Sequence, residues 1–346
     1  MQRHRLPLSA LLWGALLPLF ASCGQRTLEP VSLQGQVQGT YYSIIYYDSL
    51  NRNLQSTIDS LFALVDATAS LWDETSLLCR INRNETDTLT PLFADMLRKS
   101  LEMSAYTQGA FDCTVGCLVD AWGFGARRKA SLDDTFIDSL LRYTGAEQLT
   151  ILPENGVMRL GKKYPQTRLD FNAIAQGVTS DLVGQCLLQK GIRNYLVDVG
   201  GEVVARGTKP GGKPWSVGVE RPAKNKYSEP VVELAVALKN QSLVTSGSYR
   251  KYYEKDGVRY SHTIDPSTGR PVQHGLLSVS VVDRAAWRAD ALATSFMVMG
   301  LDSSLRFIAA HPDDSGANCA VFIYDSAGNN AIYATPAFKK IIINLK

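Results

Sequence analysis

The sequence is poor in the features that mark several common classes of protein. Of its 346 residues only four are histidines and six are cysteines. Cys23, Cys79, Cys113, Cys117, Cys186 and Cys319 are scattered along a large chain, which is not the dense spacing of a disulfide framework. Cys113 and Cys117 stand close in sequence, but no second pair or nearby histidine completes a zinc set, so small buried side chains are the simpler reading. The formal net charge is only +3, without the basic excess of a general nucleic-acid binder. Hydrophobic residues at 45% and charged residues at 20% exclude disorder as the main state. There is no internal repeat or low-complexity tract, and no P-loop, serine-hydrolase elbow, zinc helix or Rossmann loop.

The first segment is set aside from the fold. Arg3, His4 and Arg5 precede an almost wholly apolar run from Leu6 to Phe20, and Ala21, Ser22 and Cys23 follow. A basic head, a short apolar run and small residues describe an export signal. The run is too short, and too interrupted by Pro7 and Pro18, for a membrane-spanning helix. A cysteine after small residues resembles a bacterial lipobox. That reading makes residues 1–22 a signal peptide cleaved before Cys23, with lipid on the cysteine sulfur and the new amino group. Several acyl chains on one residue anchor firmly. Plain secretion with an incidental cysteine is the alternative. Loss of Arg3 and Arg5 leaves 34 basic against 33 acidic residues, so net charge says little about partners.

Periodicity predicts one α+β unit, readable as two lobes, spanning 35–346 after a tether at 23–34. Val31 to Tyr47 alternates as two strands around Gly39, and Leu54, Ile58, Leu61, Phe62 and Val65 sit at helical spacing. Thr90 caps a helix starting at Pro91 and ending before Gly109. Ser131 with Asp134 resembles a capping box for a helix closed by Gly145, and a hairpin turns at Asn155-Gly156. A strand near Arg168 to Phe171, a helix to Lys190 and a strand from Tyr195 to Val199 form a strand–helix–strand unit. Several β segments run from Trp215 to Asp283. A helix from Ala285 stops at Gly300, a second starts at Asp302, and strands at Ala320–Tyr324 and Ile341–Leu345 finish the chain.

Four clusters could carry chemistry. Asp170-Phe171-Asn172-Ala173-Ile174-Ala175-Gln176-Gly177 joins a strand to a helix whose first N–H groups suit a phosphate, although Asp170 could equally be the helix cap. Val199-Gly200-Gly201 ends a strand on two glycines, either a tight turn or a place where a ligand approaches the backbone. Thr245 to Gly269 holds His262 three residues before Asp265, in a stretch ending on the turn sequence Asp265-Pro266-Ser267-Thr268-Gly269. Asp290 and Thr294 are four apart on a helix and share a face, offering hard oxygen donors of the kind Mg²⁺ prefers, or an ordinary exposed pair.

In this order the clusters resemble the ApbE family, the FAD:protein FMN transferases. The likeness extends through Gly39-Thr40-Tyr41, Gly109-Ala110-Phe111-Asp112-Cys113-Thr114-Val115-Gly116, Ala121-Trp122-Gly123-Phe124-Gly125, Thr245-Ser246-Gly247-Ser248-Tyr249 and Ala289 to Thr294, nearly the whole mature chain. It implies an ApbE-like fold with the ligand between the lobes, and transfer of FMN from FAD to a Thr or Ser hydroxyl of a target flavoprotein, releasing AMP. FAD hydrolysis to FMN and AMP, or FAD binding without turnover, are the alternatives. By motif position, Mg²⁺ would be held by Asp290, Thr294 and the backbone carbonyl of Ala173. FAD contacts would fall on Gln38, Trp72, Ala110, Phe111, Asp112, Asp170, Gln176, Ile264 and Ala293, and His262 would help deprotonate the acceptor. Trp72 stands where the family often has Tyr, Gln38 where many relatives have Met, and Asn172 where a small residue is usual. The resemblance further implies a lipid-anchored envelope protein on the periplasmic side of the inner or outer membrane. Its partners would be FAD, an exported or membrane redox subunit and the membrane itself, with no nucleic acid.

Overall fold

The computed structural model describes residues 28–125, 134–222, 231–248, 252–255 and 258–343. The signal segment, Cys23, Ser131 and Tyr249 lie outside the described residues. The first strand begins at Val31, four residues before the expected domain boundary, so the end of the expected tether belongs to the fold.

In chain order, β1 (Val31–Val37) and β2 (Thr40–Tyr46) form a hairpin, followed by α1 (Gln55–Ala69) and α2 (Leu77–Asn82). After β3 (Thr88–Leu89), α3 (Pro91–Tyr106) begins where Thr90 accepts a hydrogen bond from the Phe93 amide, as expected. α4 (Gly116–Ala121) and α5 (Asp134–Leu141) precede the hairpin of β4 (Leu149–Glu154) and β5 (Val157–Lys162). Its two turn residues, Asn155 and Gly156, both have positive φ, which is why an Asn-Gly pair stands there. α6 (Ala175–Gln189) leads to β6 (Tyr195–Val199) and β7 (Glu202–Arg206), then β8 (Trp215–Glu220), β9 (Val232–Leu238) and β10 (Gln241–Gly247). Short pairs β11 (Tyr252–Lys255) with β12 (Val258–Ser261), and β13 (Ile264–Asp265) with β14 (Arg270–Pro271), come before β15 (Leu276–Asp283). The chain closes with α7 (Ala286–Ala310), β16 (Ala320–Ser326), β17 (Asn329–Ala334), α8 (Pro336–Lys339) and β18 (Ile342–Ile343).

Eight strands make the main sheet in the order β1-β2-β6-β7-β10-β15-β16-β17, every pair antiparallel. Alternate residues serve opposite faces. Val197, Val199, Val244, Val279 and Val281 join the core packed under α1, α3, α6 and α7. Val203, Leu243, Val282 and Val321 face the three-stranded sheet β18-β9-β8 around Trp215 and Phe338. The expected strand near Arg168 is a correction. Residues 168–171 form no strand of any sheet and make a single parallel bridge, Arg168 to Val115, so no strand–helix–strand unit exists there. That extended segment is instead held by a side chain: Asn82 accepts from the Leu169 amide (2.7 Å) and donates to the Leu169 carbonyl (2.8 Å). β17, with neither strong alternation nor burial, escaped the sequence reading.

α7 is long and apolar enough to cross a bilayer by composition, but its apolar residues are core residues of this fold. It breaks at Gly300, which has φ +74°, and the His274 ring nitrogen donates to the Met297 carbonyl at 2.9 Å beside the break. The expected stop and restart are therefore both present.

Asn82→Ala removes two hydrogen bonds and strands two buried backbone groups, which should cost about 2–3 kcal/mol. The urea midpoint should fall with the slope unchanged.

Candidate active site

The site is built where the main sheet's turns meet the start of α6. Gln38 and Gly39 connect β1 to β2 at this end, and Gly200 and Gly201 connect β6 to β7. Gly200 has φ +70°, and a Cβ there would lie 2.8 Å from Thr40 and 2.9 Å from the Gln176 side-chain nitrogen. The tight-turn reading of the two glycines is thus correct, and the turn also packs against Gln176. Gln38, itself at φ +53°, receives a hydrogen bond from the Thr179 hydroxyl of α6 at 3.3 Å.

The central feature is the crossing of α6 over α7. A Cβ on Gly177 would sit 2.7 Å from the Ala286 carbonyl oxygen and from Trp287 Cα, so only glycine allows this approach. Gly177 is the third residue of α6, so its amide is one of the N–H groups that a helix start leaves without an intrahelical partner. It donates to Asp290 Oδ2 at 3.1 Å. Asp290 is 5% exposed and forms no ion pair among the described residues. Burial, and secondarily the nearby Asp181 carboxylate, raises its pKa well above the ordinary range, against the pull of the Gly177 N–H. Thr294, one turn on, shares a hydrogen bond of 3.3 Å with Ser246 near the end of β10.

This donor set fits a divalent ion. No cluster of three His, Cys, Asp or Glu side chains exists among the described residues, so a soft or imidazole-rich site is not on offer. The buried Asp290 carboxylate and the Thr294 hydroxyl one turn on are hard oxygen donors, and Mg²⁺ accepts few protein ligands while keeping water and phosphate. The third expected donor, the Ala173 carbonyl, belongs to the turn just before α6.

The remaining expected residues come from three flanks. Asp170 is buried, its amide donates to the Cys113 carbonyl (2.8 Å), and its carboxylate accepts from the Asn172 amide (2.7 Å). It does not cap α6, whose cap position is Ile174. Asp112 accepts from the Thr114 amide and hydroxyl (2.7 and 2.6 Å) and the Ala146 amide (3.0 Å), so its carboxylate folds the 110–114 turn, while the Ala110 and Phe111 amides donate to the Thr107 carbonyl and hydroxyl. Trp72 is 70% exposed, a large flat ring open to solvent. Ile264 is buried against Leu118 and Trp122, and His262 lies with its ring 6.3 Å from that of Phe124. The Trp122 indole donates to the Gly269 carbonyl, which ties the His262 to Gly269 segment to α4. Asp265 bonds only its own turn through Ser267 among the contacts described. Ala293 is fully buried.

Sequence reasoning missed Asp181. Its Oδ2 accepts from the Trp287 amide (3.0 Å), capping α7 from a different helix, since Ala285 at the cap position has no side chain able to do so. Nothing in the local sequence signals a cap supplied from a hundred residues away. Cys113 and Cys117 are buried free thiols, in line with the expectation.

Against this geometry, a family model described as the ApbE family matches residues 38–318. The chain belongs to the ApbE family. A Vibrio cholerae protein named FAD:protein FMN transferase is 37% identical over 300 residues, covering 83% of this chain and 86% of its own. A Haemophilus influenzae protein of the same name is 33% identical, covering 96% and 97%. Among solved structures, the flavin transferase ApbE from Vibrio cholerae matches with a TM-score of 0.78 at 32% identity, covering 91% of this chain and 99% of that one. The apo form of Pseudomonas stutzeri flavinyl transferase ApbE matches with the same score at 29% identity, covering 91% and 97%. The mixed α+β architecture expected of this ApbE-family member is therefore present.

Because the folded chain holds the Asp290 proton to higher pH than the unfolded chain does, stability from this group falls as pH rises above the ordinary carboxylate range. Asp290→Asn should therefore melt above wild type in EDTA at pH 8, with the gap closing toward pH 5. Added Mg²⁺ should raise the wild-type melting temperature and leave the variant unmoved. A wild type indifferent to Mg²⁺ would contradict the metal assignment.

Proposed function

We propose that this chain is a Mg²⁺-dependent flavin transferase of the cell envelope, moving FMN from FAD to a Thr or Ser hydroxyl of a target flavoprotein and releasing AMP. Membership of a family whose relatives carry that activity in their names supports it. The observation that carries it is the buried Asp290 carboxylate, held by the Gly177 amide at the start of α6 and one helical turn from the Thr294 hydroxyl.

In the reaction, the acceptor oxygen forms a bond to the FMN phosphorus. The bond from that phosphorus to the bridging oxygen breaks, its electron pair leaves with AMP, and the hydroxyl proton passes to a base. Such a step depends on positioning and charge neutralisation more than on covalent catalysis. A bound Mg²⁺ supplies positive charge to the phosphate oxygens. Asp290, Thr294 and the Ala173 carbonyl would hold it. Trp72 stacks on the flavin, while Gln38, Ala110, Phe111, Asp112, Asp170, Gln176, Ile264 and Ala293 shape the bed for FAD between the main sheet and the α4 flank. His262, on that flank, is the base that takes the acceptor proton through a ring nitrogen.

The chain is further read as anchored through acyl groups on Cys23, on the periplasmic side of the inner or outer membrane, with an exported or membrane redox subunit as acceptor. The basic, apolar and small-residue order of the first 23 residues supports this.

The protein incubated with FAD, Mg²⁺ and a hydroxyl-bearing acceptor should add FMN to the acceptor, seen by mass spectrometry. Free FMN without labelled acceptor would indicate hydrolysis instead, and unchanged FAD would sink both. His262→Ala should lower the transfer rate at least 100-fold, within the usual range for a lost general base, while FAD affinity changes less than threefold. Equal loss of binding would make His262 a ligand contact.

A further inference from the structure

Several exposed lysines and arginines, distant in sequence, meet at one end of the main sheet. Residues 28–30 arrive at β1 at one end of the main sheet, and the register carries that end across it: Val31 opposite Tyr46, Tyr46 opposite Tyr195, Tyr195 opposite Arg206. Gln241 pairs with Ala205 and Ser242 with Asp283 at the same end. The turns Gln38–Gly39 and Gly200–Gly201 of the catalytic site lie at the other end, about 20 Å away for strands of this length.

Loops at the N-terminal end carry Lys190, Arg193, Lys213, Lys239 and Arg284, all exposed, with Arg206 half-buried among them. The loops are tied together. The Tyr47 amide donates to the Asn194 carbonyl, Thr208 to the Asn194 side chain, and Gly207 to the Asn240 side chain. Arg206 is fixed by donating to the Arg284 carbonyl at 2.7 Å. A cleft of about 630 Å³ opens between Arg206, Lys239 and Arg284. The carboxylates here offset part of this charge: Asp48 is paired with Arg52, Asp283 and Asp314 share Arg288 and so leave one negative charge over, and Glu29 and Asp313 are exposed, which leaves the cations in excess.

We propose that this basic end is a docking surface for an anionic lipid bilayer. The proposal extends the reading of Cys23 as a lipidated residue. Cys23 precedes Val31 by eight residues, so an acyl group there holds this end, and not the catalytic end, within about 30 Å of the bilayer surface. Within roughly a Debye length of anionic headgroups each lysine or arginine adds about 1 kcal/mol of attraction. The surface then turns a loose leash into a fixed orientation. The protein stands on its N-terminal end, and the flavin site faces away from the lipid, open to acceptor segments projecting from the membrane.

The test uses the mature chain with Cys23→Ser, which has no acyl group, so that the surface is examined apart from the anchor. It should co-sediment with vesicles containing phosphatidylglycerol, release as salt rises, and ignore pure phosphatidylcholine. Combining Lys190→Glu, Arg193→Glu, Lys239→Glu and Arg284→Glu should weaken vesicle binding roughly 100-fold or more. FMN transfer to a soluble acceptor should stay at the wild-type rate, which also shows that the variant folds. Equal binding to both vesicle types, no binding to either, or undiminished binding by the fourfold variant would overturn the surface. Mass spectrometry of the wild-type mature N-terminus tests lipidation separately, so failure of the anchor and failure of the surface are distinguishable.

Discussion

One hydrogen bond organises the catalytic end of this protein. The Gly177 amide, one of the N–H groups left free at the start of α6, reaches across to Asp290 on α7. Two consequences follow. A carboxylate is held in a buried position where its charge is costly without a cation. And α6 and α7 approach so closely that the crossing residue has no side chain.

Around that crossing, support comes from residues that perform no chemistry. Asp181 caps α7 from α6 and so fixes the height of Asp290 against Gly177. Asn82 clasps the backbone of Leu169, which fixes the segment carrying the buried Asp170 without a strand to hold it. Ser246 steadies the Thr294 hydroxyl from the main sheet. Farther along α7, Arg288 pairs with Asp283 and Asp314, and Tyr106 also donates to Asp314, which locks the helix to the loop before β16. Replacing such anchors would disturb geometry before it disturbed any reacting group.

The main sheet also separates two tasks. One end of the sheet carries the turns Gln38–Gly39 and Gly200–Gly201, the latter packed against Gln176, and the opposite end receives residues 28–30 beside exposed lysines and arginines. Antiparallel strands make this division simple, because every hairpin turn at one end is matched by a loop at the other. A protein held to a surface at one end then presents its chemistry at the other.

The sequence alone determined the fold class, most helix limits and the hairpins, because these rest on local physics. Thr90 before Pro91 starts a helix, Gly300 breaks one, and Asn155-Gly156 turns a hairpin wherever they fall in a chain. It also brought Asp290 and Thr294 onto one helical face, since a spacing of four does so without tertiary help. The tertiary structure alone decided what was long-range. The Asp181 cap spans a hundred residues, the Asn82 clasp replaces an expected strand, and Asp112 turns its carboxylate to folding its own loop. Charge distribution belongs here too. A count of 34 bases against 33 acids carries no sign, and only the strand register, which depends on packing between distant segments, brings Lys190, Arg193, Lys213, Lys239 and Arg284 to the same end of the sheet.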